Sequence, residues 1–199
     1  MNEHIKYSAN FKEKISEYFP ISEESFNLLE NIMSFKKLKK DQVLLNFGQV
    51  SKNIYFVCKG TIIAYFTDDK GNTYNKNIFL EKQFAGSTVS ALLKTPSEFT
   101  LQAIEETILI TINYQHYKNL IYSNKELNCF YIAYLEKNWI IDKEQREVSL
   151  VMENATTRYL KFLTDYPDID KRISLNHIAS HLGITPTQLS RIRKKLKEK

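Results

Sequence analysis

With 199 residues, 43% hydrophobic and 13% aromatic, the chain carries enough apolar material for one or two domains with real cores. No run approaches the ~20 apolar residues of a membrane span, MNEHIKYSANFKEK lacks an apolar signal-peptide centre, and two cysteines, Cys58 and Cys129, make neither a disulfide framework nor a metal pattern. The expectation is a cytoplasmic protein with no membrane partner and with buried structural thiols, whose formal net charge of +5 lies wholly in its last nine residues, where Arg191, Arg193, Lys194, Lys195, Lys197 and Lys199 stand against Glu198 alone.

Residues 10–33 suggest two short helices separated at Phe19-Pro20-Ile21, the second capped by Ser22 with Glu23 and Glu24 in its first turn. From 35 to 112 the pattern changes to alternating and β-branched runs at 42–47, 54–58, 61–67, 73–80, 100–104 and 107–112. Turns fall at Lys59-Gly60, 68–72 and Glu105-Glu106, and four of the five glycines (Gly48, Gly60, Gly71 and Gly86) sit where turns are expected. Many short strands with tight turns imply a small antiparallel sandwich or barrel-like roll.

After Asn113 the reading is helical to the end, which makes the chain α+β. The stretch 125–152 places Leu127, Tyr131, Tyr134, Asn138, Ile141, Gln145, Val148 and Met152 at the alternating spacing of a coiled-coil seam. Cys129, Ile132, Leu135 and Trp139 form a second apolar set roughly opposite. A helix apolar on two sides needs two partners. The expectation is that the second set packs on its own roll while Leu127, Tyr131, Tyr134, Asn138, Ile141 and Val148 meet a second copy; a core helix in a monomer is the competing reading, weakened by the charged stretch 142–147. A further helix at 155–165 ends at Tyr166-Pro167, and the polar joint Glu153-Asn154 is the candidate hinge between a unit spanning 1–152 and one spanning 153–199.

The C-terminal stretch ISLNHIASHLGITPTQLSRIRKKLKEK reads as two helices with their stop and start signals in order. Ser174 caps a helix over 175–181 that carries Ile178 and Leu182, Ala179 is small where a second helix must cross closely, and Gly183 suits a left-handed C-cap. Thr185 caps the second helix and Pro186 takes its first position. Leu189, Ile192 and Leu196 then face inward, leaving Thr187, Ser190, Arg191 and Lys194 outward, flanked by Arg193, Lys195 and Lys197. A Lys/Arg-rich terminal helix can be merely a solvated end. Here the ordered polar face makes it a recognition helix of a helix-turn-helix, with Thr187, Ser190 and Arg191 near base edges, Thr185 at the helix start and the cations near phosphates.

At this point the chain resembles the Crp/Fnr family of bacterial transcription regulators. NIYFVCKGTIIAYFTDDKGN at 53–72 looks like the hairpin of that family's cyclic-nucleotide-binding β-roll, and IASHLGITPTQLSRIRKKL at 178–196 resembles its DNA-binding signature. The resemblance implies an N-terminal antiparallel β-roll, a long dimerisation helix at 125–152 and a C-terminal helix-turn-helix domain. It implies a non-enzymatic regulator that binds a pseudo-palindromic operator as a homodimer, with double-stranded DNA as partner and RNA polymerase as a further candidate. Arg191 matches the family arginine that reads a guanine. The sequence ends about three residues after the recognition helix, without room for the β-hairpin wing of many members, and the cationic tail is expected to compensate.

Family members that bind cyclic AMP hold its phosphate with an arginine beside a serine or threonine, and its ribose with a glutamate after a glycine. In FAGSTVSALLKTPSEFTLQA, 84–103, Ser87 follows Gly86 where that glutamate would stand, Pro96, Ser97 and Glu98 occupy the arginine-serine region, and no arginine precedes Arg146. A phosphodiester there would lie unpaired beside the like charge of Glu98. The expected pocket of Gly86, Ser87, Thr88, Ser97 and Glu98 therefore takes an effector other than cyclic AMP, of unknown chemistry, or none; Ser87 is expected to cap a short helix. The roll holds no histidine and no cysteine cluster, so no cofactor or metal is implied. His177 and His181 have metal-like spacing but no third ligand and read as exposed histidines near DNA phosphate. A cupin-like enzyme would need barrel histidines and fails on that ground. A ligand-binding or protein-interaction module with a non-functional DNA-binding tail remains the alternative.

Overall fold

The structure is a computed structural model that describes residues 3–71 and 73–198. Met1 and Asn2 of the N-terminus, Asn72 of the expected 68–72 turn and Lys199 of the basic tail lie outside the described residues.

Helix α1 (Glu3–Tyr18) starts earlier than the sequence suggests and buries Tyr7, Phe11 and Ile15 along one stripe. Helix α2 (Glu23–Glu30) begins at the expected cap, where the Ser22 hydroxyl accepts from the Ser25 N–H. Eight strands follow: β1 (Met33–Leu38), β2 (Val43–Leu45), β3 (Asn53–Lys59), β4 (Ile62–Thr67), β5 (Thr73–Phe79), β6 (Phe84–Ala85), β7 (Thr100–Ala103) and β8 (Thr107–Asn113). They form two four-stranded antiparallel sheets, in the orders β1-β8-β3-β6 and β2-β7-β4-β5. Helix α3 (Thr88–Leu93) sits between β6 and β7.

The faces that meet between the sheets carry Leu38, Val57, Leu109, Ile62 and Leu101, all sequestered from solvent, so the inside of the roll is filled by side chains. Strand periodicity puts alternate residues on the other faces. Ile54, Phe56, Ile110 and Ile112 of the first sheet pack under α1, α2, α4 (Tyr114–Ser123) and α5 (Lys125–Leu135). Ile63 and Ile78 of the second sheet pack, with Leu80, against the C-terminal helices. Gly60 makes the β3–β4 turn with φ +93°; a Cβ there would lie 2.5 Å from Thr107 Oγ1 and 2.6 Å from the Glu106 carbonyl, so both the turn and the close approach require glycine.

The helix expected over 125–152 is present, but a π-helical segment (Glu136–Ile141) separates α5 from α6 (Asp142–Met152). A wider turn shifts the facing of everything after it, so the expected seam divides there, and the burial of its first half corrects it. Leu127 is fully buried in its own subunit's core with Phe130, and Tyr134 packs edge-on against Tyr18 and Phe84. Tyr131 packs against the same core, and the Asn138 side-chain amide donates to the Tyr18 hydroxyl. These four residues face inward, whereas Ile132 and Trp139, expected against the roll, are exposed. Beyond the π segment Ile141 and Val148 do point outward, joined by Ile140, Val151 at 83% exposure and Met152 at 78%. Among the described residues no helix is long and apolar enough to cross a membrane.

Four helices close the chain: α7 (Ala155–Asp165), α8 (Ile169–Arg172), α9 (Leu175–His181) and α10 (Pro186–Lys197). Tyr159, Phe162, Ile169, Ile178 and Leu189 form their shared core, which is continuous with Ile63 and Ile78 of the roll. At the joint, Glu153 leaves the helical conformation and Asn154 caps α7 by accepting from Thr157 N–H.

Candidate nucleic-acid interface and effector sites

The caps of the last two helices are those expected from their residue types. Ser174 Oγ accepts from the His177 N–H and Thr185 Oγ1 from the Gln188 N–H, satisfying one orphan donor at each helix start. Pro186 opens α10 and Gly183 turns the chain at φ +68°. Ile178 and Ala179 of α9, and Leu182 at its C-cap, share a core with Leu189 and Ile192 of α10. The opposite side of α10 presents Thr187, Ser190, Arg191 and Lys194 to solvent, with Thr185, Lys195 and Lys197 also exposed.

Arg193 departs from that set. Its guanidinium pairs with Asp170 Oδ2 at 2.9 Å in a half-buried setting, so it ties α10 to α8 and its charge is already compensated. The histidines depart as well. His177 Nδ1 lies 2.9 Å from the Asn75 side-chain amide, and His181 is packed beside Phe162. Burial and then the neighbouring Arg146 push the His181 pKa down to about 4, so it is neutral and unsuited to pair with phosphate.

Both histidines belong to a seam that holds the C-terminal helices on the roll. The Asn75 N–H donates to Ser180 Oγ at 2.7 Å, and the Gln83 side-chain amide donates to the Tyr166 hydroxyl at 3.0 Å. Arg146 of α6 donates to Asn77 Oδ1 at 3.0 Å and to the His181 carbonyl at 3.5 Å, touching three elements at once. Arg172 reaches Glu81 and Glu105, each at 2.7 Å. Burial alone raises the Glu81 pKa, but the hydrogen bonds from Arg172 and the Gly60 N–H outweigh it and the net shift is downward. Sequence reasoning missed Asn75, Glu81, Arg146 and Arg172, because each pair joins residues roughly 70 to 105 positions apart with no local pattern to mark them.

The segment expected to hold an effector uses its polar groups internally. Ser87 and Ser97 are buried; the Ser97 hydroxyl bonds with the Ser87 hydroxyl at 3.0 Å and with the Phe99 carbonyl at 2.8 Å. Ser87 makes no side-chain cap to α3; its hydroxyl accepts from Ser97 instead. Thr88 is half-buried, and Glu98 is exposed. Gly86 and Thr88 open instead onto a groove outside the filled roll, lined also by Lys76, Trp139, Arg146 and His181.

Residues 35–124 match the family model described as a cyclic nucleotide-binding domain. The chain is similar in structure to CLP, described as the c-di-GMP responsive global regulator of Xanthomonas campestris, at 16% identity over 89% of this chain and 92% of that one, with a TM-score of 0.67. It is likewise similar to the Thermus thermophilus catabolite activator protein, at 18% identity over 91% and 86%, TM-score 0.54. A protein from Eubacterium rectale described as a transcriptional regulator of the Crp/Fnr family matches at 19% identity over 91% and 88%, TM-score 0.64. At these identities the likeness shows the fold: an antiparallel β-roll of the cyclic nucleotide-binding type with helices, whose structural neighbours include Crp/Fnr regulators. No curated protein sequence matches the chain.

Proposed function

We propose that the chain is a DNA-binding transcription regulator of the Crp/Fnr type, with a sensor unit over 1–152 and a helix-turn-helix domain over 153–199. The observation that carries this reading is the outward face of α10, where Thr187, Ser190, Arg191 and Lys194 stand together on a helix whose other side is anchored in a core. A helix so mounted enters the major groove with its N-terminal half at the base edges; Thr185, Lys194, Lys195 and Lys197 then meet phosphates. Arg193 is left out of the contact set because Asp170 holds it.

The working unit is a homodimer. Ile140, Ile141, Val148, Val151 and Met152 are exposed apolar residues along the π segment and α6, the kind of surface that marks a protein–protein contact. Closing two such surfaces across a two-fold axis presents two copies of α10 to a pseudo-palindromic site. The effector is not cyclic AMP: the serines at 87 and 97 spend their hydroxyls on each other and on the Phe99 carbonyl, and neither has an arginine among its hydrogen-bond partners.

The test is selection of bound duplexes from a random pool by the full chain. The expected product is an inverted repeat with half-sites centred about one DNA turn, ~34 Å, apart. A pool that stays random while the protein is folded contradicts the reading.

A further inference from the structure

The groove beside the roll measures about 790 Å³ and lies between β5–β6, the π segment with α6, and the C-terminal helices. Its volume is in the range of small-molecule sites. Two of its lining cations lack an acid. Lys76, on β5, and Arg146, on α6, have no carboxylate within ion-pair distance among the described residues, whereas Lys137 on the same wall pairs with Asp142 and Lys82 with Glu13. The hydrogen bonds of Arg146 all go to neutral oxygens, and the Lys76 ammonium contacts only the face of Phe99, 5.1 Å from its ring centre.

The two cations also stand close enough to oppose each other. Burial, then Arg146 and Lys143, lower the Lys76 pKa, and burial lowers that of Arg146. Both residues are solvent-exposed and line the groove. Two cations that share one groove and have no carboxylate partner are compensated together by an incoming oxyanion. Toward the π segment the lining becomes Phe84, Tyr134 and Trp139, which suits a flat or apolar body.

We propose that this groove binds a small organic oxyanion, a phosphate, sulfonate or carboxylate carried on an aromatic or apolar body, held by Lys76 and Arg146. The occupant would touch the roll, α6 and the C-terminal helices at once, where Arg146 already joins them. Binding of this kind does not depend on DNA recognition and is measured without DNA.

The test uses 8-anilinonaphthalene-1-sulfonate, an anion on an aromatic body, titrated by fluorescence into the full chain. The expected result is saturation at one site per chain, displacement by inorganic pyrophosphate, and affinity at least about tenfold weaker in Lys76→Gln and Arg146→Gln, a loss fitting a charge-assisted contact. Val151→Ser, on the exposed apolar surface of α6, keeps wild-type affinity. Arg146→Gln also removes the contact to the His181 carbonyl, so Lys76→Gln decides the matter. Equal affinity in Lys76→Gln and wild type, or failure of pyrophosphate to compete, overturns the proposal. A Lys76→Gln variant that loses duplex-DNA affinity in parallel with dye affinity also overturns it, by assigning the cations to the DNA path.

Discussion

Replacing Leu127 by alanine separates an inward from an outward facing of α5. Leu127 is fully buried among Phe11, Ile121 and Phe130 on the outer face of the first sheet. Truncating such a leucine removes its transfer free energy and leaves a cavity that the surrounding aromatic rings cannot wholly fill; the usual cost is about 2 to 5 kcal/mol. For a chain of this size each kcal/mol lowers Tm by roughly 2 to 4 °C. A loss of about 3 kcal/mol therefore lowers the roll's melting transition by some ~6 to 12 °C. Thermal melting by circular dichroism reads this change, and sedimentation at a temperature where both proteins are folded should give the same mass for variant and wild type. If Leu127→Ala melts with wild-type Tm yet sediments at half the mass, the leucine meets a partner and the inward assignment of α5 is wrong.

The outward face makes the complementary case: Ile141→Asp sets two charges face to face across the proposed two-fold axis, and sedimentation should report a monomer that melts near the wild-type temperature but no longer binds its operator. A pH series of Tm should expose His181, whose folded pKa of about 4 lies below its unfolded value of ~6.5; the unfolded chain takes the proton first, so up to about 3 kcal/mol of stability is lost as pH falls from ~6.5 toward 4, and His181→Leu flattens that slope. Gly60→Ala forces a Cβ against the 106–107 backbone at positive φ and should cost about 2 kcal/mol or more, seen as a lowered urea midpoint. Arg172→Met releases Glu81 and Glu105; because the group is partly exposed the loss is about 1 to 2 kcal/mol, smaller at high salt, and hydrogen exchange should quicken in α7–α9 while β3 and β8 keep their protection.

What was legible in the sequence was local. The caps at Ser22, Ser174 and Thr185 and the turn at Gly183 depend on residues within a few positions of each other, and the helices they bound appear where expected. Strands rich in β-branched residues were equally readable. Strand β1 was not, because Lys36 and Lys37 interrupt its alternation at a sheet edge, and β6, two residues long, has no period to detect. The facing of α5 is not legible because both of its apolar sets suit a core, and only the fold shows that Leu127, Tyr131 and Tyr134 pack inward; a constant 4,3 spacing also assumes α-helical turns throughout, and the π segment breaks that assumption before Val148. Long-range polar pairs were invisible for a different reason. An arginine such as Arg193 looks like any other cation on a basic helix until the fold brings Asp170 to it, and His181 looks exposed until the roll covers it.

Sequence reading by α10 is tested most directly with Arg191→Ala, compared by fluorescence anisotropy on the selected operator and on a scrambled duplex of equal length at one fixed salt concentration. The guanidinium is exposed on the outward face of α10 with no carboxylate partner among the described residues, so its removal should leave the fold intact. Loss of a base contact should cost about 1 to 3 kcal/mol on the operator and much less on the scrambled duplex, narrowing the ratio between them. Equal losses on both duplexes would contradict base reading by Arg191 and leave α10 as a phosphate-binding surface only.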